Sequence, residues 1–419
     1  PYNRTGNWMI VAVYCLILLI FSKMYGGLKI GYLKTFNIVY SQFLTTISAN
    51  ALIYLQITLL IKHFTSIAPL VYMTILQLLV IVPWGIIFTR LYRFLYPARK
   101  ALLVYGERTV DVFVGKANTR NDRFIITKKI DYREGFDAVA KCAKQSEAVI
   151  LCDLPSEIRN TILKFCYSQS IRVYVTPKLS DIIIRSAEDS HLIDSPLLLS
   201  RNNGFTFEQR FFKRAVDIIL TLALLFVFSP IMLVTALAIK LYDRGPVLFL
   251  QERYTKGEQK FMIYKFRSMK INSDSIKYVP TMEDDPRVTP VGRVIRQLRI
   301  DEMPQFFNIL KGEMSLIGPR AESVKLTDAY VRDIPEFKYR LKVKSGLTGY
   351  AQVHGKYNTT PYDKLKLDLM YIQNYSWLMD MEIIFLTVKI LFMKDSTEGF
   401  TEEQCATLDI AEAKNGTKK

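Results

Sequence analysis

Long apolar runs constrain this 419-residue chain more than any other feature. Residues 8–22, about 36–61, about 67–89 and 211–242 are all rich in Leu, Ile, Val and Phe. A helix needs roughly 20 consecutive apolar residues to cross a bilayer. The first run is short for a span, although Tyr25 and the neighbouring glycines can extend it; the next two are long enough. No small-residue cleavage site follows the first run, so it does not read as a secretory leader. Lys23, Lys29 and Lys34 share one loop, and Arg90, Arg93, Arg99 and Lys100 follow the third run, whereas the loop between the second and third holds only Lys62 and His63. The excess of cations places the 23–35 loop and everything after residue 90 in the cytoplasm, with Pro1 outside. Residues 1–100 are therefore expected to be a transmembrane helical region showing three spans, with room for a fourth upstream.

The run at 211–242 differs. Ser229-Pro230 interrupts it, and basic residues flank both ends, with Arg210, Lys213 and Arg214 before and Lys240 and Arg244 after. One reading is a proline-kinked span. Equal flanks favour a second, a re-entrant helix-break-helix that enters and leaves by the cytoplasmic face. Pro230 removes a helical hydrogen bond, and Ser229 is placed to satisfy the backbone group so freed.

Residues 101–187 alternate short apolar segments with helical patterns near 134–145 and 155–169, the pattern of a small parallel, Rossmann-like α/β unit. Its first strand ends in Gly106, but Glu107 and Arg108 follow where a dinucleotide fingerprint needs further glycines, so no nucleotide is expected there. Residues 188–209 read as a polar linker, 210–395 as a mainly helical domain carrying the 211–242 run, and 396–419 as a polar tail. Within 210–395, the chain around Lys256-Gly257 alternates like a hairpin and puts Lys265 and Arg267 on one strand face. Residues 363–375 and 377–392 read as amphipathic helices whose apolar faces suit a membrane interface or a core. The formal charge of +17 fits an anionic membrane surface and phosphate-bearing substrates, and no nucleic-acid fold signature accompanies it. Five cysteines without Cys-x-x-Cys spacing predict free thiols. His63, His191 and His354 are too scattered for a zinc site.

Chemistry concentrates between Arg293 and Arg320. Arg293, Arg296 and Arg299 recur every third residue, which on a helix aligns them along one face ending at Asp301 and Glu302. Pro304 suits a first helical turn and Gly312 a helix C-terminus. A carboxylate at a helix N-terminus beside arginines predicts a lowered pKa for Asp301. The Gly318-Pro319 turn can aim Arg320 back at the same place, and cations around two acids suit a metal-bound phosphate. The same residues equally describe an N-cap and a solvated ion-pair cluster, and spacing alone leaves the two even. Glu283, Asp284 and Asp285 carry no Asp-x-Asp spacing, so Asp285 is expected to turn the chain at Pro286.

Four ordered strings tip that balance: Leu-Arg-Ile-Asp-Glu-Met-Pro-Gln-Phe-Phe-Asn-Ile-Leu-Lys-Gly-Glu-Met-Ser-Leu-Ile-Gly-Pro-Arg ending at Arg320, Tyr-Lys-Phe-Arg-Ser-Met at 264–269, Asp-Pro-Arg-Val-Thr-Pro-Val-Gly-Arg at 285–293 and Gly-Leu-Thr-Gly-Tyr-Ala-Gln-Val at 346–353. Over about residues 205–395 the chain resembles the bacterial sugar transferases, the monotopic phosphoglycosyl transferases that act on undecaprenyl phosphate. The preceding segments resemble the large, multi-domain subgroup. One departure is Ser345, where the family carries proline. The resemblance implies transfer of a sugar 1-phosphate from a UDP-sugar, galactose or glucose foremost, to undecaprenyl phosphate, with release of UMP. It implies Asp301 as nucleophile, Glu302 as its partner in holding Mg2+, and Lys265, Arg267, Arg296 and Arg320 as phosphate-binding groups. It also implies a re-entrant helix broken at Ser229-Pro230, a place in the bacterial inner membrane with the catalytic domain on the cytoplasmic face, and a role at the first membrane step of exopolysaccharide, capsule or O-antigen synthesis. A homodimer is a further expectation.

Overall fold

The computed structural model describes residues 4–106, 113–115, 117, 122–192, 195–200, 204–270, 287–355 and 359–391. The chain divides into two units, Pro1–Lys178 and Leu179–Lys419.

The first unit opens with three helices, α1 (Arg4–Met24), α2 (Thr35–Ile61) and α3 (Ala68–Leu95). α2 and α3 are long and apolar enough to cross a membrane, while the apolar part of α1, Trp8–Met24, is shorter, as its sequence foretold. Most of their large apolar side chains face outward: Leu59 is 68% exposed and Val80 66%. Such surfaces need lipid. Between the helices the contact is polar. Asn50 on α2 donates to Thr74 Oγ1 and Gln77 Oε1 on α3 and accepts from the Tyr14 hydroxyl on α1, at 2.8, 2.9 and 2.6 Å. Where lipid is as apolar as leucine, hydrogen bonds of this kind select the helix partners.

The α/β unit follows as β1 (Arg99–Tyr105), β2 (Phe124–Asp131), α4 (Phe136–Lys144), β3 (Ala148–Cys152), α5 (Ser156–Ser168) and β4 (Arg172–Val175). The four strands form one sheet in the order β2-β1-β3-β4, all parallel. Ala101 to Val104 and Ala148 to Ile150 are almost fully buried, which explains why both segments read as unbroken apolar runs. Residues 107–112, where the fingerprint glycines would fall, lie outside the described residues.

The second unit begins earlier than the sequence suggested. α6 (Leu179–Arg185) places Ile182, 3% exposed, in the second unit's core, and Ser186 Oγ donates to Gln373 Oε1 at 3.1 Å. The expected boundary at 187 is thus corrected to Lys178, because these side chains bury against the later domain. The segment expected to be a bare linker contains an antiparallel hairpin, β5 (Glu188–Leu192) and β6 (Ser195–Leu199).

α7 (Phe207–Asp243) is one hydrogen-bonded helix of 37 residues, capped by a Thr206–Gln209 capping box. Pro230 lies inside it, so Phe226 loses the N–H that its carbonyl would accept; the Ser229 hydroxyl donates to that carbonyl instead, at 2.9 Å. The helix therefore continues through the expected break. Its first turns are tied down: Lys213 pairs with Asp380 at 2.7 Å, and Asp217 accepts from Ser315 Oγ and Leu316 N at 2.8 and 3.0 Å. Its last turn is tied to the same domain, with Ile239 in the core and Asp243 paired with Arg267. Between these anchors Phe226 and Val227 are 82% and 62% exposed.

The rest is a compact mixed core. β7 (Leu248–Tyr254) and β8 (Lys260–Phe266) form the predicted hairpin, with Gly257 at φ 68° in its turn. α8 (Pro290–Gln297), α9 (Gln305–Lys311), β9 (Ser315–Ile317), α10 (Val324–Asp333), β10 (Gly346–Thr348), α11 (Tyr350–His354), α12 (Pro361–Gln373) and α13 (Trp377–Leu391) complete it. On α13 Ile383 is core while Trp377 and Leu378 are exposed, so core and surface share that helix. Residues 283–285, Phe392 and the tail lie outside the described residues.

Replacing Ile182 tests the corrected boundary. Ile182→Ala should destabilise the second unit by about 2–5 kcal/mol, as a core cavity does. Ile184→Ala, at a side chain 55% exposed, should leave the unfolding midpoint nearly unchanged. Equal, small shifts in thermal unfolding would return the boundary to residue 187.

Candidate active site

α8 starts on Thr289, whose hydroxyl accepts from Gly292 N at 2.8 Å. Gly292 lies so close to the Ser268 carbonyl that a Cβ there would come within 2.0 Å of it. The predicted arginine helix is shorter than expected. It ends at Gln297, and Arg299 adopts a left-handed backbone at φ 56°, so Arg299 leaves the stripe formed by Arg293 and Arg296. The reversal turns the chain into a single 3-10 turn, Ile300–Glu302, which carries both acids between α8 and α9. Pro304 directly precedes α9, and Gly312 closes it at φ 87°, as the sequence implied.

Glu302 is the clasped member of the pair. Its Oε1 accepts from Lys265 Nζ at 3.1 Å and from Arg320 Nη2 at 3.0 Å. Arg299 stands 3.9 Å from Oε2. Burial opposes ionisation, but Lys265, Arg320 and Arg299 outweigh it and hold this carboxyl well below the usual range. The same pairing raises the Arg320 guanidinium, chiefly through Glu302, whereas burial lowers the Lys265 ammonium against the pull of Glu302.

Asp301 behaves in the opposite way to the expectation from its position. Burial and the adjacent Glu302 charge push it up to about 6, and Lys265, Arg296 and Arg299 offset this only in part. The helix-terminus reasoning failed because the acid is desolvated beside a like charge. The described residues give Asp301 no clasp like that of Glu302.

Two supports were not visible in the sequence. The Gly346–Gly349 loop lies against Gly318: a Cβ on Gly346 would come within 2.1 Å of Gly318 N, and one on Gly349 within 2.0 Å of Gly318 O. β9 and β10 pair in parallel there, and Gly346 N donates to Pro319 O at 2.9 Å, which fixes the turn that aims Arg320. Ser345, in place of the family's proline, donates through its hydroxyl to Tyr254 O at 2.9 Å. Behind Arg320, the Arg340 guanidinium bridges its carbonyl at 3.0 Å and the Asp368 carboxylate at 2.8 Å. Both members of that ion pair are almost fully buried.

Of the other sequence candidates, Lys265 and Arg320 meet at Glu302, and Arg296 acts on Asp301 through its charge. Arg267 is elsewhere: it lies one residue beyond β8, is buried, and pairs with Asp243 at the end of α7. Ser229 and Pro230 lie within α7, in its exposed apolar middle. Arg253 was missed. It lines the same recess as Lys265, Glu302 and Arg320, and donates to Ala321 O at 2.7 Å. Its only sequence signal was the alternation of β7. Asn308, fully buried, joins α9 to β8 by accepting from Tyr264 N at 3.0 Å and donating to Met262 O at 2.8 Å, which sets Lys265 opposite Glu302.

A long apolar helix is thus anchored to a domain in which two adjacent, part-buried acids meet converging cations, an arrangement suited to a phosphate group. The family model described as bacterial sugar transferase matches residues 208–394, and the chain belongs to that family. It is 42% identical over 229 residues to the UDP-N-acetylgalactosamine-undecaprenyl-phosphate N-acetylgalactosaminephosphotransferase of Aeromonas hydrophila, covering 54% of this chain and 53% of that one. It is 41% identical over 202 residues to the UDP-glucose:undecaprenyl-phosphate glucose-1-phosphate transferase of Klebsiella pneumoniae, covering 47% and 42%. It is 40% identical over 185 residues to the exopolysaccharide production protein PSS of Rhizobium leguminosarum bv. phaseoli, covering 42% of this chain and 92% of that one. The chain thus spans about half the length of the first two relatives.

The pKa assignment has a direct check. In chelator-treated protein, the Asp301 carboxyl should titrate near pH 6 in infrared difference spectra that use Asp301→Asn as reference. An acid raised on folding costs stability once ionised, so the native state should lose stability as pH rises from the ordinary carboxyl range through about 6. Glu302→Gln removes the like charge and should move the inflection to lower pH. An inflection at the ordinary Asp value in the parent protein would reject the assignment.

Proposed function

We propose that this chain transfers a hexose 1-phosphate from a UDP-sugar to undecaprenyl phosphate, releasing UMP, through a covalent intermediate on Asp301. The observation that carries this reading is the asymmetry of the acid pair: Glu302 is locked by Lys265 and Arg320, whereas Asp301 is free of any such clasp. An Asp301 oxygen attacks the sugar-bearing phosphorus of the donor, and the bond to the UMP oxygen breaks with its electron pair leaving on UMP. An oxygen of the lipid phosphate then attacks the same phosphorus and frees the Asp301 carboxylate. Splitting the reaction lets one recess serve a soluble donor and a membrane acceptor in turn. Lys265, Arg296 and Arg320 offset the repulsion between a carboxylate and a diphosphate. Arg267 is left out of this set, since it pairs with Asp243.

The donor set fits Mg2+. No group of three or more His, Cys, Asp or Glu residues converges among the described residues, and Mg2+ is commonly held by one or two carboxylates with substrate phosphates and water. Asp301 and Glu302 would hold it, and it would supply charge neutralisation to the diphosphate. The relatives' names point to glycan synthesis, with the donor a UDP-hexose or its acetamido form, and the first membrane step is the place we assign to this chain.

We also propose that α7 is re-entrant. In support, both of its ends bind one compact domain, and at 37 residues the helix is about 55 Å long, well beyond a bilayer core of roughly 30 Å. The Ser229-Pro230 step would be where it bends. With the positive-inside reading of the first three helices, the site then lies on the cytoplasmic side of the inner membrane at headgroup depth. Single cysteines at positions 208 and 246 should both react with an impermeant thiol reagent from the cytoplasmic side only; labelling of either from outside would end the re-entrant reading.

The mechanism is tested on the donor half-reaction. With a radiolabelled UDP-sugar and no lipid, the chain should release up to one UMP per site and keep the sugar phosphate covalently, and undecaprenyl phosphate should discharge it. Asp301→Asn should abolish the adduct, whereas Glu302→Gln should slow it without moving the label. Release of UMP only when lipid is present would point to direct transfer, and release of UDP to a glycosyltransferase.

A further inference from the structure

A second cavity, of about 420 Å³, opens at the first turns of α7. It shares no lining residue with the recess around Glu302. The two lie at opposite ends of α9, with Asp301 and Glu302 just before its first residue and the cavity's cations at its last. There, a Cβ on Gly312 would stand 3.5 Å from both Arg214 Nη2 and Lys344 Nζ. Seven residues of helix separate them, about 10 Å.

The cavity combines an apolar floor with unbalanced positive charge. Phe205, Phe211 and Val343 line it together with Arg210, Lys256 and Lys344. Its acid, Asp217, is turned to Ser315 and Leu316, and its Lys213 is already paired with Asp380. Arg214 spends its guanidinium on the Ile309 and Leu310 carbonyls at 2.6 and 2.8 Å, which satisfies the end of α9 without help from Lys344. At the tip of the β7–β8 turn, Glu258 pairs with Lys338 at 3.1 Å rather than with Lys256. Lys256 and Lys344 thus have no carboxylate in an ion pair among the described residues. Burial, then Arg214, push the Lys344 ammonium down; Asp217 opposes this in part and Lys256 adds to it, so the balance at Lys344 is an excess of cations. Of the lining, Phe207 and Phe211 are 72% and 63% exposed, as is Phe212, next in the chain, at 68%. Exposed phenylalanines beside cations on an apolar helix suit the boundary between lipid headgroups and acyl chains.

We propose that this cavity binds the phosphate headgroup of an anionic phospholipid of the surrounding membrane, separately from the acceptor used in transfer. Lys256 and Lys344 take the phosphate, and the phenylalanine floor takes the first methylenes of the acyl chains. Because α7 passes from this cavity into the bilayer, the bound lipid also sets the height at which α9, and the acids before it, face the membrane. The proposal rests on the seating of α7 in the bilayer given above.

The test uses the full chain in nanodiscs made with phosphatidylglycerol or phosphatidylcholine, read by native mass spectrometry of retained lipid. The parent chain should retain phosphatidylglycerol in preference to phosphatidylcholine. Lys256→Gln combined with Lys344→Gln should weaken that retention roughly thirtyfold, at about fivefold per lysine. The double Lys→Arg variant should restore it. Sugar-phosphate labelling of Asp301 in detergent should be unchanged in all three chains, which also verifies folding. Retention indifferent to the headgroup or to the two lysines would overturn the proposal. So would displacement of the lipid by millimolar inorganic phosphate, which would mark a site for free anions. Displacement by equimolar undecaprenyl phosphate, with loss of transfer in the Gln variant, would assign the cavity to the acceptor and overturn it as well. Thiol labelling at positions 208 and 246 separates the two readings: labelling from the cytoplasmic side alone without retained phosphatidylglycerol refutes the cavity alone, and labelling of either position from outside refutes the seating of α7.

Discussion

Two neighbouring carboxylates cannot both be buried and ionised without cations, and this constraint orders the second unit. Glu302 is supplied with two direct partners, Lys265 from β8 and Arg320 from the turn after β9. Each partner has its own support. Asn308 registers β8 against α9, and Arg340 with Asp368 holds the Arg320 backbone from behind. A buried ion pair such as Arg340–Asp368 is weak evidence for stability, since desolvation offsets the attraction. Its value here is position: the guanidinium reaches both a carboxylate and the carbonyl of Arg320.

The same economy governs α7. In the re-entrant arrangement proposed above, a helix with an apolar middle, tied at both ends to one domain, sets that domain's height at a membrane. Lys213, Asp217 and Asp243 are charges near the two ends of the helix. Lys213 and Asp217 are buried against protein and Asp243 is part-buried, paired with Asp380, Ser315 and Arg267 respectively. Ser229 repairs the carbonyl that Pro230 orphans, so the proline weakens the helix locally without ending it.

Much of this was legible in residue order because its causes are local. Apolar length marked α2 and α3, unbroken apolar strings marked β1 and β3, and Lys256-Gly257 marked the hairpin turn. The motifs around Asp301 marked the site, and family resemblance was needed to choose chemistry over a solvated ion-pair cluster. Three features follow from tertiary packing that residue order does not carry. The pKa of Asp301 rises because water is excluded beside Glu302, Arg267 is drawn to Asp243 at the end of α7, and Ile182 joins a core formed by residues far along the chain.

The sequence by itself determined the membrane-seeking helices, the parallel α/β unit, the pairing of acids with arginines and the family. Those follow from periodicity, composition and short strings, each confined to a few neighbouring residues. Only the tertiary structure decided which acid is clasped and which is left open, because Lys265 is 37 residues from Glu302 in sequence and Arg320 is 18. It also decided that Gly318, Gly346 and Gly349 pack backbone against backbone, since close approach between segments leaves no trace in either one. Charge can be counted along a chain; desolvation and distance exist only once it has folded.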